Sequence, residues 1–172
     1  YAPYAVAAAS ARLAGVDVVR TGLAGRFHLD AAGMQRAGTP LGDATVDARV
    51  TAGFDGTLTA LLDDHRYKSV AAGIWTGTGG VVTVDDDTIK IRDFHSSPGA
   101  GSVDGSATIT RASGDLVADV TAKDLDLSTL VPDVRGTVSA TAHATQRGLR
   151  WDAMATFEGQ KLDRLSLGEE GI

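Results

Sequence analysis

The sequence predicts an all-β protein built on an antiparallel sheet with one apolar side and one polar side. Three observations carry this. Apolar and polar residues alternate along most of the chain, which places them on opposite faces of a strand. Short Gly- and Asp-rich turns separate the alternating stretches. No stretch reads as a long helix, so parallel pairing through helical crossovers is not expected. The clearest stretch is 134–157. Val134, Gly136, Val138, Ala140, Ala142 and Ala144 alternate with Arg135, Thr137, Ser139, Thr141, His143 and Thr145. After a turn, Trp151, Ala153, Ala155 and Phe157 oppose Asp152, Met154, Thr156 and Glu158.

Taken in order, residues 1–19 are Ala-rich and compatible with helix. They also alternate from Tyr4 through Val6 and Ala8, and they read as a strand ending at Gly15. Val16–Val19 leads to Gly22, and Leu23, Phe27 and Leu29 then oppose Arg26, His28 and Asp30. The segment 33–42 holds Gly38, Pro40 and Gly42 without a period and reads as a connection. In 44–54, Ala44, Val46, Ala48, Val50, Ala52 and Phe54 form one face. Asp55-Gly56 predicts a two-residue type I′ hairpin back into 57–62. Asp63-Asp64-His65-Arg66 reads as a polar turn, and 69–76 and 81–84 as strands around Gly77-Thr78-Gly79-Gly80. Asp85-Asp86-Asp87 turns the chain into 88–94, where Ile89 and Ile91 oppose Lys90 and Arg92. Beyond a turn at 96–101, Val103, Gly105, Ala107 and Ile109 form one face. Leu116, Ala118, Val120 and Ala122 follow after Ser113-Gly114-Asp115. Leu125, Leu127 and Leu130 suggest a short helical corner stopped by Pro132, and 162–167 begins a last strand. The tally is roughly a dozen strands.

At 172 residues the chain is one unit with enough length for a core, and it reads as an interior piece of a longer protein, with the assignment of 1–21 open. A net charge of −6 without a basic stripe argues against nucleic acid as partner. The absence of Cys excludes disulfides and thiolate metal sites. The apolar run 4–9 is too short to cross a bilayer and lacks a charged leader.

No motif names an enzyme, and neither a catalytic residue, a cofactor nor a metal is expected. Gly77-Thr78-Gly79-Gly80 fits neither the dinucleotide nor the P-loop pattern and reads as a turn or bulge. Asp85-Asp86-Asp87 lacks the EF-hand spacing and reads as a solvated turn. His28, His65, His95 and His143 show no metal-ligand spacing, and His28 and His143 fall on polar faces. Trp75 and Trp151 could stack on sugars, but Trp151 is in phase with Ala153 and Phe157.

What covers the apolar side is open from alternation alone: a second sheet, closure into a barrel, or a greasy ligand in a trough. The run 125–142, Leu-Asp-Leu-Ser-Thr-Leu-Val-Pro-Asp-Val-Arg-Gly-Thr-Val-Ser-Ala-Thr-Ala, followed by Leu149-Arg150-Trp151-Asp152-Ala153, resembles the TamB and AsmA-like envelope families. Gly105-Ser-Ala-Thr-Ile-Thr and Asp115-Leu-Val-Ala-Asp-Val-Thr-Ala are similar strand phrases. The resemblance implies a curved antiparallel sheet forming an open, U-shaped (β-taco-like) hydrophobic groove. It further implies a periplasmic segment of an inner-membrane-anchored protein in lipid traffic and outer-membrane assembly. The partners implied are phospholipid or another acyl-chain ligand and an Omp85-type, TamA-like barrel protein.

Side-chain volume points the same way. In-facing Ala, Val and Gly fill a close-packed two-sheet core poorly. Exposed apolar surface costs ~25 cal/mol per Å², which makes acyl chains a plausible filling. The expected groove lining is Val46, Val50, Phe54, Val103, Ala107, Ile109, Leu116, Val120, Val134, Val138, Ala140, Ala142, Trp151, Ala153 and Phe157. The alternatives from other classes are a filled β-sandwich or solenoid spacer and an enzyme on a β-helix, for which regular rung repeats are missing.

Overall fold

The computed structural model describes residues 4–70, 73–129, 134–148 and 150–164. They form twelve strands in one antiparallel sheet that is not closed. In chain order these are β1 (Tyr4–Ala5), β2 (Ala8–Val19), β3 (Gly22–Arg36), β4 (Thr39–Gly53), β5 (Leu58–Ser69), β6 (Gly73–Gly77) and β7 (Val81–Val84). Then come β8 (Thr88–Ser96), β9 (Ser102–Thr110), β10 (Leu116–Asp126), β11 (Val134–Arg147) and β12 (Arg150–Arg164). A single 3₁₀ turn, Leu127–Thr129, follows β10.

The order is an antiparallel meander except at two lanes that are each shared by a pair of strands. β1 and β2 share one lane along β3. β6 and β7 share another along β5, interrupted at 78–80, where Leu62 donates to the Gly80 carbonyl and Gly79 donates to the Leu62 carbonyl. The Gly77–Gly80 run is therefore a break within a lane, as the glycine content suggested.

Several boundaries differ from the sequence reading. Residues 33–42 are two paired strand ends joined at Ala37-Gly38, with φ of +51° and +81°. That pair is the two-residue type I′ turn. At Asp55-Gly56 the loop has three residues: Gly56 donates to the Gly53 carbonyl and Gly53 donates to the Thr57 carbonyl. Only Gly56 has positive φ there, the form in which a type I turn ends in a left-handed glycine. Phe54 consequently lies in the loop, beyond the paired face of β4.

Asp63–Arg66 is no turn, because β5 runs straight through it with one extra residue where Ala48 and Asp47 pair with Leu62 and Asp64. Residues 69–76 are no single strand: β5 ends at Ser69 and β6 begins at Gly73. β2 continues past Gly15 to Val19 around a further irregularity. β10 extends to Asp126 before the 3₁₀ turn, and Leu130 and Pro132 lie outside the described residues. β12 runs unbroken from Arg150 to Arg164, so residues 162–164 continue an existing strand, and 165–167 lie outside the described residues.

The extra residues preserve the two faces. In β8, Ile91 and Phe94 both stay on the apolar side because Asp93 adopts φ +52° and takes up one residue. Asp124, at φ +49°, does the same between Ala122 and Leu125 in β10. Asp is among the few L residues that enter the left-handed region readily.

Among the described residues no second layer buries the apolar side. Only Ala31, Ala48, Ala122 and Leu125 are buried apolar residues, and no large side chain is fully buried. A compact protein of 17.7 kDa exposes roughly 8,000 Å². This chain exposes 11715 Å².

Candidate functional site

The site is the apolar face itself, assembled by register. One row across the sheet joins Val18, Leu23, Ala52, Leu58, Val84, Ile89, Ile109, Leu116, Gln146 and Trp151. The next row runs through Gly25, Val50, Ala60, Val82, Ile91, Ala107, Ala118, Ala144 and Ala153. A third passes Val103, Ala122, Ala140 and Phe157, and beside it Val120 meets Ala142. Val46 pairs with Leu29 and His65, and Val138 with Leu125.

Fourteen of the fifteen expected lining residues lie on the sheet, and Phe54 is the exception. Val134 is on β11 but separated from Val138 by the irregularity at Gly136. The side chains are half-buried or only partly exposed in the middle lanes and more open at the rims, where Phe157 is 72 % exposed and Trp151 50 %. This is the pattern of neighbours shading one another on an uncovered face. Small residues are shaded most: Ala48, between Phe27 and Leu62, is 3 % exposed.

Sequence reasoning missed the other half of the face. Leu58, Leu62, Tyr67, Trp75 and Phe94 share it by register. So does His65, which alternation across Asp63–Arg66 could not place because the extra residue reverses the phase there.

The opposite face is polar, and its histidines pair with aspartates across the strands. Three histidines each stand directly across from an aspartate: His28 and Asp47 at 2.7 Å, His95 and Asp104 at 2.7 Å, His143 and Asp119 at 2.8 Å. His28 also contacts Asp30 at 2.8 Å, and Asp30 accepts from Thr45. The Asp47 contact, followed by that to Asp30, holds the His28 imidazolium above its ordinary 6.5. A raised folded-state pKa adds stability below pH 6.5 that is lost as pH rises through the folded value. Replacing Asp47 with Asn should bring the His28 titration, followed by NMR, down toward 6.5. An unmoved midpoint would remove Asp47 as the cause.

In the acidic turn the Asp85 carboxylate is bonded by the chain itself. It accepts from the Asp87 and Thr88 backbone N–H groups at 3.0 and 2.6 Å and from the Thr88 hydroxyl. These bonds, the Thr88 backbone first, hold its pKa below the usual carboxylate range. Among the described residues no three His, Cys, Asp or Glu side chains converge as metal ligands. The chemistry offered by the arrangement is an extended apolar surface.

No protein-family model, curated protein or solved structure matches this chain.

Proposed function

We propose that the apolar face binds lipid acyl chains, and that the chain is a segment of a periplasmic envelope protein carrying lipid between the inner and outer membranes. The observation that carries the reading is the uncovered face, because a soluble protein rarely leaves so wide an apolar surface without a ligand or partner for it. Ten sheet positions at ~4.8 Å give an arc of roughly 43 Å. Nine residues of β9 give a depth of roughly 30 Å. An acyl chain, about half of a ~30 Å hydrocarbon core, fits within it along a strand. Small Ala and Gly side chains make contacts shallow and repeated, which suits sliding better than one deep pocket does.

The placement in the envelope, the support of outer-membrane assembly and a TamA-like Omp85-type partner rest on the strand phrases at 105–122 and 125–153. In this reading the chain is a carrier and not an enzyme. Native mass spectrometry after gentle extraction should show co-purifying phospholipid. A ligand-free protein that also excludes apolar dyes would sink the proposal.

A further inference from the structure

Among the described residues, one buried side chain on this face leaves its polar atoms without a hydrogen-bond partner. His65 sits in β5 among apolar neighbours, across from Val46 in β4 and Gly77 in β6. It is 7 % exposed, and neither ring nitrogen has a hydrogen-bond partner. Its ring stacks on Phe94 of β8, centroids 4.6 Å apart and planes 24° from parallel. It reaches Phe94 over Gly77, since a Cβ at Gly77 would run into the imidazole and the His95 carbonyl. A buried polar group left unsatisfied is uncommon and costly, so it calls for an account.

We propose that His65 makes ligand retention on the apolar face depend on pH: neutral, it completes the floor between β5 and β8; protonated, it leaves the stack and opens the floor. This rests on the lipid-binding reading and adds a release step to it. A neutral imidazole on Phe94 is largely apolar surface, whereas an imidazolium there would meet the nearby His95 backbone carbonyl but no anion in bonding contact. The titratable groups that act on it are Asp64 on its own strand, which favours the cation, and His95 on β8, which opposes it. From β4 the facing residue is Val46 and from β6 Gly77, neither of them titratable. Burial is the largest influence and pulls the His65 pKa below 6.5. A lowered folded-state value adds stability above pH 6.5 that is lost as pH falls through it, opposite to His28.

The test uses the whole chain and the uncharged dye Nile red, at about pH 7.5 and about pH 5. The dye should bind at least about fivefold more weakly at the lower pH. His65→Phe, or His65→Leu if the first variant misfolds, should bind equally at both. His143→Gln should keep the wild-type difference. Equal wild-type affinities, or a difference that survives in both His65 variants, overturns the proposal. Absence of dye binding at either pH overturns the lipid reading instead. The device is then judged by amide exchange in β5–β7 of the free protein, which should accelerate at the lower pH in wild type only; unchanged protection overturns it.

Discussion

Val138→Asp and Ala142→Arg should each abolish photocrosslinking of a lipid probe to the chain, while Thr137→Asp and Thr141→Arg should leave it intact. Register separates these neighbours. Ala142 lies between Val120 and Ala155 on the apolar face, whereas Thr141 lies between Thr121 and Thr156 on the polar one. An unpaired charge pressed against acyl chains costs at least about 3 kcal/mol, roughly 100-fold in Kd. The Thr substitutions add a charge to a surface already facing water. Both sheet faces are partly open, so all four variants should fold, and circular dichroism checks that they do. Equal loss from both sets would mean that binding does not follow the faces of the sheet.

Gly42→Ala should be the more damaging of two single-methyl additions in the β3–β4 region, and Gly38→Ala the milder. Gly42 has φ +133°, and a Cβ there would collide with the Lys68 carbonyl of the adjacent strand. Gly38, at the type I′ turn, has φ +81° with open space around it. Left-handed strain alone costs about 1 kcal/mol at Gly38. Strain together with the backbone collision should reach about 3 kcal/mol or more at Gly42. Urea midpoints order the two. A Gly42→Ala midpoint equal to wild type would mean β4 and β5 do not approach so closely there.

Much of the sheet was legible because period-two alternation is a direct readout of which side each residue faces. It worked wherever a strand ran without an added residue, as from Val103 to Ile109 and from Trp151 to Phe157. It failed where one residue is absorbed into a lane. Leu58, Ala60 and Leu62 are followed by His65 and Tyr67 on the same face, and the shift of phase at Asp63 disguised a continuous strand as a turn. A shift of the same kind at Asp93 hid Phe94, which lies three residues past Ile91 where the regular step is two. Turn chemistry misled in a different way. Asp55-Gly56 is a strong dipeptide for a type I′ turn, yet the Gly53–Thr57 pairing lengthens its loop by one residue and carries Phe54 off the sheet. Ala37-Gly38 forms the type I′ turn with an alanine at positive φ, which composition does not advertise. The polar face was anticipated, but its His–Asp partners come from strands up to 24 residues apart in sequence, and only register brings them together.

The meander also determines how the protein holds itself together. Each strand is secured by the lanes on either side and not by a shared interior, so cohesion passes from neighbour to neighbour as it does in a repeat array. Loops between paired strands are short, which keeps the entropy of closing each one small. Such a sheet should open from its rims inward, lane by lane. A lane lost at one end removes one interface and leaves the rest of the apolar surface standing.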